Sequence, residues 1–203
     1  MILDANTTTP VTGGASFTIG NRLERLLWRA TWLLLARWTP PMFSPWRIWL
    51  LKLFGARVGP GSMIAASTTV WYPRYLVLGS HTSLGPGVDC YTMAQISIGS
   101  RTIVSQRAFL CAGSHDVSDP NFQLIAKPIV IGDGVWIAAE AFVAPGVCIG
   151  DGAVLAARAC AFSKIEPWTI YRGNPAKPVK SRTLRGLKES ENANVKTFPR
   201  KKE

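Results

Sequence analysis

The sequence is short of the residues that metal and disulfide chemistry need. It contains two histidines, His81 and His115, and four cysteines, Cys90, Cys111, Cys148 and Cys160. None of the cysteines has CxxC spacing, and no basic-then-apolar leader opens the chain. They read as free thiols in a reducing cytoplasm. Long apolar runs are also missing. The best candidate, Leu33–Ala36, is flanked by Arg29 and Arg37, far short of the roughly 20 residues that span a bilayer. Acidic residues are scarce, with 12 Asp and Glu against 23 Lys and Arg, for a net charge of +11.

The placement of that charge divides the chain. Residues 1–57 hold seven basic and two acidic residues, 58–176 hold seven of each, and 177–203 hold nine against three. Two basic ends around a neutral middle suit anionic lipid, a phosphorylated ligand or plain solubility. Nucleic acid has only the charge in its favour, because no reader motif or aromatic platform accompanies it.

Residues 1–20, rich in Thr, Gly and small side chains, read as a flexible terminus. Residues 21–57 read as two amphipathic helices. In the first, Leu23, Leu26, Leu27, Ala30, Leu33, Leu34 and Trp38 recur at helical spacing, Asn21 is the expected N-cap, and Arg22, Arg25 and Arg29 lie on another face. Pro40-Pro41 ends it. For the second, Ser44 is the expected N-cap, Pro45 the first helical residue and Gly55 the stop. Trp28, Trp32, Trp38, Trp46 and Trp49 sit among these basic residues. Tryptophan with arginine suits a membrane–water interface; the alternative is packing on the main domain or a neighbouring subunit.

From residue 58 a period of six takes over. Aliphatic or small apolar residues recur at Val58, Ile64 and Val70; Leu78, Leu84 and Cys90; Ile98, Val104 and Leu110; Ile131, Ile137 and Val143; and Ile149, Leu155 and Ala161. The following residue is Gly, Ala, Ser or Cys in twelve of these fifteen slots; the exceptions, Trp71, Tyr91 and Phe162, each close a group of three. Neither a helix at 3.6 nor a strand at 2 repeats every six. Six residues make a short strand and a turn, and three such units make one triangular coil, so residues 58–176 predict a parallel β-helix of about five coils, an all-β solenoid. At about 4.8 Å per coil the stack is roughly 24 Å tall. Two-residue offsets near Pro73–Leu78 and Ala94–Ile98 read as corner insertions. Residues 112–130 leave the repeat altogether, and 177–203 form a basic tail.

The repeat resembles the hexapeptide-repeat, left-handed β-helix acyltransferases. Handedness comes from that resemblance, since the general crossover rule favours right-handed connections. Trp46-Arg-Ile-Trp-Leu-Leu-Lys-Leu-Phe-Gly-Ala56, Gly113-Ser-His-Asp116, Ile131-Gly-Asp-Gly-Val-Trp-Ile-Ala138 and Pro167-Trp-Thr-Ile-Tyr-Arg-Gly-Asn-Pro-Ala176 sharpen it. Together they look like the colanic-acid biosynthesis type of acetyltransferase, related to the maltose and galactoside O-acetyltransferases. The resemblance covers about residues 20–185. It implies a homotrimer with sites between subunits and transfer of acetyl from acetyl-CoA to a sugar or lipid-linked saccharide in exopolysaccharide biosynthesis.

The family's catalytic histidine maps onto His115, inside the excursion. A histidine suits the removal of a hydroxyl proton because its ordinary pKa lies near neutrality. Asp116 either orients it or caps the loop, and His81 reads as a surface corner residue. Asp89 falls where relatives bind acceptor hydroxyls. For acetyl-CoA the resemblance implies Trp136, Ala139 and Ala157 along the cleft and Lys177 and Lys180 at the cofactor phosphates. Relatives often read Thr-Lys after the last coil; this chain has Phe162-Ser163 with Lys164 one place later, a possible phosphate partner. No metal is required. A γ-type carbonic anhydrase on this scaffold needs three histidine ligands, more than the chain possesses. An amine acceptor, another acyl-CoA and a non-catalytic scaffold docked on membrane remain as alternatives. A saccharide on a lipid carrier would hold the enzyme peripherally at the inner membrane face.

Overall fold

The computed structural model describes residues 16–184. The terminus expected over 1–20 and the tail expected over 177–203 therefore lie largely outside the described residues.

Two helices precede a solenoid. Helix α1 spans Ile19–Leu35, and its N-cap is Thr18, whose hydroxyl accepts from the Asn21 amide. Asn21, the expected cap, lies one turn inside. A short 3-10 turn, Pro41–Phe43, leads into α2, Ser44–Leu53. Ser44 is part of that helix and does not cap it; its hydroxyl instead accepts from the Ile64 amide at 2.9 Å, tying α2 to the first coil. Gly55 ends α2 in the left-handed conformation, with φ +90°, that glycine adopts without steric cost.

The coils follow in order. The first is β1 (Arg57–Val58), β2 (Met63–Ile64) and β3 (Thr69–Val70); the second is β4 (Leu76–Leu78), β5 (Ser83–Leu84) and β6 (Asp89–Tyr91). The third is β7 (Ile96–Ile98), β8 (Ile103–Val104) and β9 (Phe109–Cys111), after which β10 (Gly113–His115) and β11 (Leu124–Ala126) form the excursion. The fourth is β12 (Ile129–Ile131), β13 (Trp136–Ile137) and β14 (Phe142–Val143); the fifth is β15 (Cys148–Ile149), β16 (Val154–Leu155) and β17 (Cys160–Ala161). A partial sixth turn, through Ile165 and β18 (Thr169–Arg172), is closed by the antiparallel β19 (Lys177–Ser181).

Parallel pairing stacks these strands into three faces: β1-β4-β7-β12-β15, β2-β5-β8-β13-β16-β18 with β19 at the edge, and β3-β6-β9-β14-β17. The chain is a left-handed β-helix of the hexapeptide-repeat kind. All fifteen slots of the repeat are buried and line one continuous core. Burial of the thirteen Val, Ile and Leu side chains among them, each contributing about 1.5–3 kcal/mol, supplies the main driving force.

The three departures from period six fall at one corner, between the third and first faces. A 3-10 turn at Pro73–Tyr75 fills it in the first coil, Thr92–Gln95 in the second and the excursion in the third. The second insertion seats on the first, because Thr92 Oγ1 accepts from the Tyr72 amide and donates to the Tyr72 carbonyl.

The exceptions Trp71, Tyr91 and Phe162 also have a structural sense. They point outward from the third face and join Phe109 and Phe142 in a column of ring contacts, with centroids 5.6–6.3 Å apart from Trp71 to Phe162.

Candidate active site

The excursion is a β-hairpin. Gly113, Ser114 and His115 pair antiparallel with Ala126, Ile125 and Leu124. Its neck is closed by the Lys127 amide donating to the Ala112 carbonyl at 3.0 Å. Gly113 lies directly against the Met93 sulfur and the Tyr91 ring, with no room for a Cβ. A side chain at this position would have to displace Met93, which is buried beneath it.

Two Asx turns shape the tip: Asp116 accepts from the Ser118 amide and Asp119 from the Asn121 amide. Asp116 therefore caps the loop. The orienting partner of His115 is Phe122, which no sequence signal had marked. Phe122 sits in the left-handed region at φ +52°. Its carbonyl oxygen lies 2.9 Å from His115 Nδ1, and its ring stacks on the imidazole with centroids 4.3 Å apart. A carbonyl only accepts, so Nδ1 carries the hydrogen, and in the neutral ring Nε2 keeps the lone pair. The imidazole is held, half-buried, in the tautomer of a base.

Asp89 projects from the third face beside Phe109 and Tyr91. Burial raises its carboxyl above the usual range. The carboxylate has no hydrogen-bond or ion-pair partner among the described residues, so its acceptor capacity is unused. Cys111 lies on the same face. Its Sγ contacts the Gly113 carbonyl at 3.1 Å, and burial raises its thiol. Cys90, wholly buried, is raised further. Neither thiol has the depressed pKa of a nucleophile.

The remaining positions gather elsewhere. Ala139 and Ala157 stack in successive coils at the corner between the second and third faces, where the Arg158 amide donates to the Ala139 carbonyl. Glu140 braces this corner by ion pairs with Arg107 and Arg158. Trp136 lies on the outer side of the second face, half-exposed, with Nε1 donating to Ser105 Oγ at 2.9 Å. Lys177 and Lys180 are exposed on β19, opposite Arg172 and Ile170. Lys164 stands apart, at the corner between the third and first faces, paired with Glu166 at 3.0 Å. His115 and the Ala139–Ala157 corner thus belong to opposite edges of the third face.

A hairpin carrying an oriented imidazole thus stands off a solenoid with small residues at its corners. Comparison with known proteins narrows this. The bacterial transferase hexapeptide (six repeats) family matches residues 128–160. The colanic acid biosynthesis acetyltransferase WcaF of Escherichia coli K12 is 41% identical over 166 residues, covering 82% of this chain and 91% of that protein. The chain belongs to this family of hexapeptide-repeat acetyltransferases. Among solved structures, a galactoside acetyltransferase in complex with coenzyme A matches with a TM-score of 0.76 at 22% identity, over 87% of this chain and 91% of that one. A hexapeptide-repeat acetyltransferase from Vibrio cholerae O1 in complex with acetyl coenzyme A matches with a TM-score of 0.74 at 23% identity, over 82% and 91%. At those identities the likeness is one of fold.

Proposed function

We propose that the protein transfers acetyl from acetyl-CoA to a hydroxyl of a sugar or lipid-linked saccharide in exopolysaccharide biosynthesis, with His115 as general base. The observation that supports this most is the contact of His115 Nδ1 with the Phe122 carbonyl, which leaves Nε2 free to accept a proton. Nε2 takes the acceptor's hydroxyl proton as its oxygen bonds to the thioester carbon. The tetrahedral intermediate then collapses, the carbon–sulfur bond breaks, and the imidazolium returns the proton to the coenzyme A thiolate. The raised thiol of Cys111 favours this direct route over an acyl-enzyme. Asp89 receives an acceptor hydroxyl on its unpaired carboxylate.

Trp136, Ala139 and Ala157 line the pantetheine arm, where small side chains allow the backbone to approach closely. Lys177 and Lys180 take the cofactor phosphates. Lys164, already paired with Glu166, contributes less charge there. The separation of His115 from the Ala139–Ala157 corner favours a homotrimer in which each cleft takes its hairpin from one subunit and its cofactor corner from the next. A lipid-linked acceptor fits a cytoplasmic enzyme peripheral to the inner membrane face.

The test is thiol release by purified protein from acetyl-CoA with a panel of sugars, sugar–lipids and amines. Acceptor-dependent release with a hydroxyl compound and none with its deoxy analogue supports the reading. Turnover confined to amines would overturn it.

A further inference from the structure

Helix α1 is turned inside out relative to an ordinary surface helix. Trp28 and Trp32 are its buried residues, at 2% and 8% exposure, and Trp28 Nε1 donates to the Val70 carbonyl at the open end of the solenoid. At 100° per residue the opposite side carries Ile19, Leu23, Leu26, Leu27, Ala30, Leu33 and Leu34. Its leucines are 60–66% exposed. A helix resting on one core normally turns its polar side to water; here the side facing away from the core is wholly apolar.

The apolar surface continues past the helix. Trp38 and Met42 are exposed, and Trp46 stacks on Trp49 with centroids 5.0 Å apart. The indole N–H groups of Trp38 and Trp46 are already satisfied by the Leu34 and Leu35 carbonyls. These rings can enter an apolar phase without stranding a donor.

Arg22, Arg25 and Arg29 run along one flank, lining a groove of about 530 Å³. Arg25 stacks over Trp71, and burial together with Arg29 and Arg22 lowers its pKa. The one acidic residue of α1, Glu24, lies toward the solenoid and is taken by Arg74 and Tyr72.

We infer that α1, with the tryptophans around α2, docks on an anionic phospholipid bilayer. The leucine face enters the acyl boundary and the arginine stripe meets lipid phosphates at the headgroup level. No described helix is long and apolar enough to cross a membrane, so the contact is interfacial. Charge favours lipid over a second copy. The solenoid's carboxylates are dispersed, and all but the half-buried Asp89 are engaged: Glu140 with two arginines, Asp133 and Asp151 with backbone amides, Glu166 with Lys164. Asp116 and Asp119, together at the hairpin tip, accept from amides of their own loop.

The experiment is flotation of the full chain with phosphatidylcholine vesicles, with and without phosphatidylglycerol. Binding is expected to need phosphatidylglycerol and to fall with added salt. Arg22→Gln with Arg29→Gln should weaken it about fivefold per arginine. Leu26→Glu with Leu33→Glu should abolish it, with circular dichroism, melting temperature and acetyl-CoA binding unchanged. Equal flotation on neutral vesicles, or undiminished flotation of either double variant, would overturn the inference. So would absent flotation combined with a fall in sedimenting mass of the leucine variant, which would assign the face to a second copy. Acetyl transfer to a soluble sugar, read in the same variants, separates failure of docking from failure of chemistry.

Discussion

His115 touches Phe122 twice, once through the ring and once through the backbone. The stacked rings fix the plane of the imidazole, and the Phe122 carbonyl fixes its tautomer. Both depend on a left-handed residue in a loop shaped by two Asx turns.

Replacing the proposed base should remove chemistry and spare binding. His115→Ala is expected to lower kcat by about 10²–10⁴, with acetyl-CoA affinity, measured by calorimetry, unchanged. Undiminished turnover would refute the assignment.

Phe122→Ala keeps the carbonyl and removes the ring. A loosened imidazole should reduce kcat about ten- to a hundredfold, with little change in KM for acetyl-CoA. A variant as fast as wild type would show that stacking plays no part in positioning.

Asp89 should trade stability for function. Its folded carboxyl is raised by burial, so the folded state holds the proton more tightly than the unfolded chain. Ionisation then costs stability as pH rises from the usual carboxylate range through the raised value. Asp89→Asn removes that cost. Thermal melts should show a higher Tm at pH 7 and no gain below about pH 4, while kcat/KM for the acceptor falls. A lower Tm at pH 7 would mean that the carboxylate has a stabilising partner.

Glu140 has the opposite sign. Arg158 and Arg107 hold its carboxyl below the usual range, so its contribution is present above that range and disappears as pH falls through the depressed value. The two arginines that hold Glu140 are exposed at the surface, and the effect of Glu140→Gln on Tm should be small and should shrink further in high salt. The larger change expected is a raised KM for acetyl-CoA, because the ion pairs brace the Ala139–Ala157 corner. An unchanged KM would separate that corner from cofactor binding.

The solenoid was legible because its rule is local: each slot alone must be apolar, and each corner must be small. The period could not say which side of α1 meets the core, because leucine spacing marks an amphipathic helix without naming what its apolar side faces. Two tryptophans seat that helix, and the leucines turn outward. The caps read from Asn21 and Ser44 failed for a related reason. Thr18 precedes Asn21 as a competent cap, and the Ser44 hydroxyl is claimed by Ile64 from another element. His115 stood out by rarity and motif. Phe122 did not, since its role rests on a backbone conformation and a carbonyl, which side-chain identity does not encode.

The neck between Ala112 and Lys127 has a broader meaning. The chain leaves the stack and re-enters it across one hydrogen bond. Beyond Gly113, the hairpin is a side branch whose length and sequence the coils above and below do not sense. A chain built this way can lengthen, shorten or replace the arm as a cassette while inheriting its scaffold unaltered.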